Sequence, residues 1–376
     1  MTGGSEAADN AAMTSSGPYP RRKTRLIKVG KVPIGGGRPV SLQSMTTTPT
    51  RRVGETLAQI RRLAAAGCQI VRVAVPALPD AEALGEVVRG SPLPVVADVH
   101  FTTALALRAL EAGVAKVRLN PGNIDDPDGL RRVLALAAER KRPLRFGVNS
   151  GSVRGARGGK KTKDLARLMV DVLMTWVALA EKEGFRNLVL SAKASDVPTT
   201  LAAYRGLAEA CDLPLHLGIT AAGPMDEART RSAIALGTLL AEGIGDTVRV
   251  SLTGDPVNEV LIARQILEEL GLRPRRGLRI LSCPTCGRCE VNLIGLVEDL
   301  KARTRDLEAP ITVAIMGCVV NGPGEAKEAD VGVAAGRGHG VLFRRGRAVR
   351  KVPESKLLEA LVDEIEALAS ERSPKT

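Results

Sequence analysis

Pro94-Val95-Val96-Ala97-Asp98-Val99-His100-Phe101, then Ala104–Ala112, then Gly113 and Ala115-Lys116-Val117-Arg118-Leu119-Asn120, hold the unit from which the fold is read. A β-branched run carries polar residues at its C-terminal end, and an Ala- and Leu-rich segment with helical spacing follows it. Glycine ends the helix, where a left-handed cap costs little only for a residue without Cβ, and the next apolar run begins. The same unit recurs from about residue 37 to 272. Its strand candidates are Val40–Met45, Ile70–Val75, Pro94–Phe101, Ala115–Asn120, Leu144–Asn149, Asn187–Lys193, Leu215–Thr220 and Thr247–Leu252. Helical segments such as Thr56–Ala66, Leu165–Lys182 and Arg231–Glu242 lie between them, with further glycine stops at Gly67, Gly184 and Gly243. Asp126-Pro127 and Asp255-Pro256 are helix starts, an N-cap acid before a first-turn proline. Eight such units in this span match a (β/α)8 TIM barrel in count and length. A doubly wound open sheet is the competitor, but no Gly-x-Gly-x-x-Gly fingerprint follows the first strand.

The texture changes at Arg273-Pro274-Arg275-Arg276-Gly277, which reads as a linker. A smaller α+β module follows, with a helix near Val291–Leu300, strands near Ile311–Ile315, Val331–Ala334 and Val341–Phe343, and a closing helix Lys356–Ala369. The expected organisation is a disordered tail over 1–22, a barrel over 23–272 and a second domain over 273–376. Residues 1–20 are rich in Gly, Ser, Ala and Asn and lack the basic start and apolar block of a signal peptide. A cytoplasmic, reducing location follows, where clustered cysteines bind metal rather than pair as disulfides. No apolar run reaches membrane-spanning length.

The formal charge is +13 and the sequence pI about 9.8, which favours anionic partners. With one Trp, two Tyr and four Phe there is little material for base stacking, so a small phosphorylated substrate fits better than nucleic acid. In a barrel the active site forms at the C-terminal strand ends, and residues two apart share a face. Asp98 with His100, Arg118 with Asn120, Ser191 with Lys193, and Arg249 with Ser251 have that spacing. Arg72, Arg145 with Asn149, His216 with Thr220, and Gln43-Ser44 join them. Cations on five different strands (Arg72, Arg118, Arg145, Lys193, Arg249) repel one another, and a polyanion of diphosphate size relieves that through charge-assisted contacts. Asp98 and His100 are candidates for acid–base work, with Asp98 also able to orient the imidazole.

Four of the six cysteines fall in the second module, at Cys283-Pro284-Thr285-Cys286-Gly287-Arg288-Cys289 and at Cys318 in Met316-Gly317-Cys318-Val319-Val320-Asn321-Gly322-Pro323-Gly324-Glu325. Structural zinc held by four thiolates is one reading, although zinc sites usually pair two Cys-x-x-Cys hooks. An iron–sulfur cluster fits a single hook plus a distant ligand in a Gly/Pro-rich loop. The turn at Asn321–Gly324 can bring Glu325 back toward the same site.

These motifs closely resemble the 4-hydroxy-3-methylbut-2-enyl diphosphate synthase family of the non-mevalonate isoprenoid pathway, in its bacterial two-domain form. The likeness also covers Val32-Pro33-Ile34-Gly35, Gln43-Ser44-Met45-Thr46, Ile70-Val71-Arg72-Val73, Arg118-Leu119-Asn120-Pro121-Gly122-Asn123, Lys193-Ala194-Ser195-Asp196 and His216-Leu217-Gly218-Ile219-Thr220. It implies a homodimer in which one subunit's cluster domain closes over the other's barrel. It implies a [4Fe-4S] cluster held by Cys283, Cys286, Cys318 and Glu325, with Glu325 as the weak ligand whose release opens one iron. The implied reaction is reductive ring opening of 2-C-methyl-D-erythritol 2,4-cyclodiphosphate with electrons from a flavodoxin or ferredoxin. The implied substrate contacts are Arg72, Arg118, Asn120, Arg145, Asn149, Lys193, Ser195, His216, Arg249 and Ser251. Two departures stand out. Cys289 is not a position where the family's ligand is expected and reads as a bystander. The family's Thr-Glu-Ala-Gly is here Thr220-Ala221-Ala222-Gly223, so a candidate proton donor is replaced by a methyl group, with Asp226, Glu227 or Asp98 left to stand in. The rival reading is a barrel transferase acting on a phosphorylated or pterin-like substrate, with structural zinc.

Overall fold

The computed structural model describes residues 18–100, 102–124, 126–156 and 165–372, so residues 1–17 of the expected tail and Phe101 lie outside it. The chain forms two compact units that part between Arg273 and Pro274.

The first unit opens with a hairpin, β1 (Ile27–Val29) and β2 (Val32–Ile34), paired antiparallel. Alternating strands and helices follow: β3 (Ser41–Met45), α1 (Val53–Ala65), β4 (Ile70–Ala74), α2 (Leu78–Gly90), β5 (Val95–Val99), α3 (Thr103–Glu111), β6 (Lys116–Leu119), α4 (Pro127–Glu139) and β7 (Leu144–Asn149). Then come α5 (Ser150–Ala156), α6 (Leu165–Lys182), β8 (Leu188–Lys193), α7 (Val197–Ala210), β9 (His216–Leu217), α8 (Met225–Ala241), β10 (Thr247–Val248) and α9 (Pro256–Glu269). Each strand from β3 to β10 pairs parallel with its neighbours, β10 pairs β3, and a Leu190–Leu215 bridge joins β8 to β9. The sheet is therefore a closed eight-stranded barrel.

Period-2 alternation builds its two faces. Val71, Val73, Ala97, Val99, Val117, Leu119, Phe146, Val148, Leu190 and Ala192 point outward into one continuous core with the helices. The residues between them point into the barrel. The N-terminal end is plugged: Val29 and Ile34 of the hairpin pack on Ile70, Val96 and Ala115. The helix starts behave as their sequence indicates, with Asp126 accepting from Gly129 N–H at 2.8 Å and Asp255 from Val257 N–H at 3.0 Å.

Two expectations need correction. The hydrogen-bonded strands β9 and β10 are two residues long, not the six of Leu215–Thr220 and Thr247–Leu252. Gly218 follows β9, and its Cα faces Lys193 Nζ and the Arg249 carbonyl so closely that a side chain would not fit. Between β9 and β10 the ladder continues to the Arg249 N–H on the Leu217 carbonyl, while beyond Gly218 the first segment keeps a single bond toward β8, from the Thr220 N–H to the Ala194 carbonyl. The hairpin at 27–34 has no strand-length alternation and is absent from the expected elements.

The second unit contains β11 (Leu278–Ser282), α10 (Leu293–Arg303), β12 (Ile311–Met316), α11 (Gly322–Lys327), β13 (Val331–Gly336), β14 (His339–Arg344), β15 (Arg347–Pro353) and α12 (Leu357–Arg372). Its mixed sheet runs β11-β12-β13-β14-β15, parallel across the first three and antiparallel thereafter. Leu293 and Leu300 of α10, with Leu361, Ile365 and Leu368 of α12, bury Val313, Ile315, Val331 and Val333. Ala326 of α11 packs on Ala334 and Phe343.

Candidate functional site

Strand register sorts the inward side chains of the barrel into layers of four drawn from alternate strands. From the floor upward these are Ile70, Lys116, Val189 and Thr247; then Gln43, Val96, Arg145 and His216; then Arg72, Arg118, Ser191 and Arg249. Above them lie Met45, Asp98, Gly147 and Gly218, and then Ala74, Asn120, Lys193 and Ser251. The two glycines create room. A Cβ on Gly147 would lie 2.5 Å from Ser191 Oγ, and one on Gly218 2.5 Å from Lys193 Nζ and 2.8 Å from the Arg249 carbonyl oxygen. The result is a cavity of about 130 Å³ lined by Arg72, Arg118, Arg145, Lys193 and Arg249 together with Asp98, His100, Asn149, Ser191, Thr220 and Ser251.

The charges in this cavity are unequally paired. Arg118 Nη1 donates to Asp98 Oδ1 at 3.0 Å, Arg72 Nε lies 3.5 Å from Oδ2, and His100 Nε2 lies 3.4 Å from Oδ1. Burial pushes the Asp98 carboxyl up, but Arg72, Arg118 and His100 together hold it well below the usual carboxylate range. Asp98 is therefore held as an anion that orients its neighbours. Arg249 forms a bidentate pair with Glu259 of α9 at 2.8 and 3.1 Å, and Ser44 Oγ donates to the same carboxylate at 2.8 Å. Arg145 and Lys193 have no carboxylate within ion-pair distance among the described residues. Lys193 Nζ sits 3.4 Å from His216 Nε2. Burial first, then Arg145 and the neighbouring guanidiniums, pushes its ammonium well below the usual lysine range. An anion in the cavity is the group that would relieve both residues.

In the second unit the parallel strands β11 and β12 end side by side, with Ser282 in register with Ile315. The loop after each carries a thiol, so Cys283 and Cys318 leave from neighbouring strand ends. Cys283, Cys286, Cys289, Cys318 and Glu325 line one cavity of about 290 Å³ with Arg288, Met316 and Asn321. Gly317 permits the convergence: its N–H donates to Cys283 Sγ at 3.4 Å, and a Cβ there would run into Cys289 Sγ. Hydrogen bonds from the Arg288 backbone and side chain lower the Cys286 thiol pKa, and the Asn321 and Val320 amides lower that of Cys318, so both lean toward thiolate. Among the described residues no three His, Cys, Asp or Glu converge closely enough to hold a single ion. The donors instead surround a room. Soft thiolates around a space of that size fit a sulfide-bridged iron cluster better than one zinc ion.

Residues 24–264 match the family described as GcpE TIM-barrel domain, and residues 279–367 match the GcpE protein C-terminal domain. The chain belongs to the GcpE family. Among its curated relatives is the 4-hydroxy-3-methylbut-2-en-1-yl diphosphate synthase (flavodoxin) of Geobacter sulfurreducens, 53% identical over 94% of this chain and 99% of that protein. The protein of the same name from Salinispora arenicola is 51% identical over 93% of this chain and 90% of its own length. A solved dihydropteroate synthase from Xanthomonas albilineans superposes with TM-score 0.48 and 13% identity over 66% of this chain and 98% of that one, a likeness that carries no argument here.

In this GcpE member the barrel cavity gathers Arg72, Asp98, His100, Arg118, Arg145, Asn149, Lys193, Arg249 and Ser251 from the residues expected by sequence. Asn120, Ser195 and His216 do not line it. Asn120 is buried and accepts from the Gly122 N–H at 3.2 Å, shaping the loop after β6. Ser195 is exposed beyond β8, and His216 is fully buried beneath Lys193. Asp226 and Glu227 are exposed and also stand outside the lining, while Ala221 adopts φ +50° at the turn after β9. Glu259 escaped sequence reading because it lies on a helix rather than at a strand end. Arg288 was within the quoted cysteine motif without being singled out.

Proposed function

We propose that this chain is an iron–sulfur oxidoreductase that reductively opens 2-C-methyl-D-erythritol 2,4-cyclodiphosphate to 4-hydroxy-3-methylbut-2-enyl diphosphate in isoprenoid biosynthesis. The observation that carries the reading is the barrel cavity, where two buried cations without carboxylate partners face a space of diphosphate chemistry. The name shared by relatives that are half identical over nearly the whole chain agrees with it. Two electrons and two protons enter, a ring C–O bond breaks, and one hydroxyl leaves as water. Reduced flavodoxin or ferredoxin supplies the electrons, and the enzyme works in the cytoplasm as a homodimer.

Arg145 and Lys193 hold the diphosphate, with Ser191, Asn149 and Ser251 donating or accepting around it. Arg72 and Arg118 are kept in place by Asp98, and Arg249 by Glu259, so the cationic wall is pre-formed before substrate arrives. His100, 3.4 Å from Asp98, would hand a proton to the departing oxygen. The methyl group of Ala221 cannot do so. Cys283, Cys286, Cys318 and Glu325 would hold a [4Fe-4S] cluster, which when bound supplies electrons one at a time. A carboxylate is a harder, more weakly held ligand than thiolate, so Glu325 would be the weak member of that ligand set.

Anaerobic purification tests the reading. The expected product is a brown protein with about four irons and four sulfides per chain that converts the cyclic diphosphate when a reducing dye is present. A colourless, zinc-loaded protein, or turnover that needs no electron donor, would refute it.

A further inference from the structure

Strand β7 runs into α5 without a loop, because Asn149 ends the strand and Ser150 opens the helix. Asn149 is therefore the last rung of β7, in register with Lys193 on β8, and also the residue before the first turn of α5. An asparagine at a helix start usually spends its side chain on the amides of that turn. Here Asn149 lines the substrate cavity beside Lys193 instead.

One hydroxyl holds the Asn149 main chain. Ser152 Oγ accepts from the Asn149 N–H at 3.2 Å and donates to the Asn149 carbonyl at 2.8 Å. Ser152 is the third residue of α5, and a side chain there that accepts from the cap amide makes the return half of a capping box. The same hydroxyl reaches the turn after β6, the strand paired with β7. Its oxygen lies 3.4 Å from Oδ1 of the buried Asn120, which also accepts from the Gly122 N–H at 3.2 Å. The Asn120 carbonyl accepts from the Asn123 N–H at 3.0 Å and closes that turn. A hydroxyl has one proton, so the shorter bond to the Asn149 carbonyl takes most of it. Packing closes the joint from the other side: a Cβ on Gly122 would stand 3.1 Å from the Cβ, Oγ and carbonyl oxygen of Ser152. The turn after β6 thus rests directly on Ser152.

On the diphosphate reading of the cavity, we propose that Ser152 is a positioning residue for substrate binding. Its hydroxyl fixes the Asn149 main chain against the Asn120 turn, so that the Asn149 carboxamide meets a diphosphate oxygen beside Lys193. Ser152 itself does not line the cavity and acts through a residue that does. Without the hydroxyl, Asn149 is still present but its main chain can turn at the end of β7. Arg145 and Lys193 lie within hydrogen-bonded strands and stay in place. Binding then weakens alike in the ground and transition states, which raises KM rather than lowering kcat.

The cluster-loaded full chain, handled anaerobically, tests this with the cyclic diphosphate as probe. Ser152→Ala should raise both KM and the calorimetric dissociation constant about 3- to 10-fold, as loss of one neutral hydrogen bond does, with kcat within about twofold of wild type. In an Asn149→Ala background the same substitution should change binding less than about twofold, because the group it positions is gone. Ser152→Cys fills the space with a weak hydrogen-bonding group; it should behave as Ser152→Ala and replaces it if the alanine variant does not fold. An unchanged KM in Ser152→Ala, a fall confined to kcat, or an equal loss in both backgrounds would overturn the assignment while leaving the cavity's reading intact. A wild type that binds no cyclic diphosphate would overturn that reading and this role with it.

Discussion

Gly218→Ala should damage substrate binding without touching the thiol site. The added Cβ would stand 2.5 Å from Lys193 Nζ and 2.8 Å from the Arg249 carbonyl oxygen. The second contact is with backbone and cannot be relieved by rotating a side chain, so β10 has to move. Lys193 is only 6% exposed and has His216 behind it, which leaves its ammonium nowhere to retreat except into the cavity. Overpacking of this kind costs about 1–3 kcal/mol of stability, at roughly 2–4 °C per kcal/mol in a unit of this size. Losing one charge-assisted contact to the diphosphate removes about 1.5–3 kcal/mol, equivalent to a 10- to 150-fold fall in kcat/KM, roughly, at constant mechanism. Gly147→Ala meets Ser191 Oγ at the same 2.5 Å, but a hydroxyl can rotate away, so its effect should be smaller. Anaerobic turnover and calorimetric titration of the cyclic diphosphate would measure both variants, with iron content as the control for the second unit. Wild-type kcat/KM in Gly218→Ala would refute the assignment of this cavity as the substrate site.

Further outcomes follow from the charge pairing. Glu259→Gln should cost stability toward the lower end of about 3–5 kcal/mol, because the Arg249 side chain keeps 17% exposure; urea denaturation of the full chain would measure it. Glu325→Ala should retain most of its iron yet lose turnover, whereas Cys289→Ser should keep both, and loss of iron from the serine variant would show four-thiolate ligation instead. Asp98 is ionised in the folded protein to well below its unfolded value of about 3.9, so its stabilising contribution is complete above that pH and drains away as acid carries the pH down through the folded value. Asp98→Asn should therefore be less stable at neutral pH and show a flatter acid limb in pH-dependent unfolding; an unchanged acid limb would contradict the pairing.

Much of the barrel was legible because a parallel strand covered by helices on one face and lining a cavity on the other writes two different alphabets in alternation. Val117 and Leu119 go to the helices while Lys116 and Arg118 go inward, and the same holds for Leu190 and Ala192 against Ser191 and Lys193. The alternation reports facing, however, and not hydrogen bonding. It ran on through Thr220 and Ser251, where the ladder had already stopped near Gly218. The plug at Ile27–Ile34 was illegible for the opposite reason: its strands are three residues long, and their burial depends on Ile70 and Val96, far away in sequence. The edge strand β15 was missed because Arg347, Arg350 and Lys351 replace apolar alternation with charge, as an exposed sheet edge favours. The doubly wound alternative is excluded by the closing β10–β3 and Leu190–Leu215 pairings, and no observation favours the zinc-bearing transferase.

What sequence reading could not supply was the division of labour among the cations. Arg72, Arg118, Arg145, Lys193 and Arg249 looked equivalent as strand-end charges. Folding makes them unequal: Asp98 takes two, Glu259 takes one, and Arg145 and Lys193 are left exposed to whatever enters the cavity. The paired cations are rigid because their partners are buried, and they set the shape of the wall before binding. The unpaired ones carry an electrostatic cost in the empty protein that an anion removes, so binding is favoured without reorganising the wall. His216, read from sequence as a substrate contact, belongs to this scaffold: Tyr204 donates to its carbonyl at 2.7 Å while its ring supports Lys193. On the proposed function, selectivity for a diphosphate over a single phosphate would depend on Arg145 and Lys193 acting together from different strands, a geometry that Gly147 and Gly218 keep open between them.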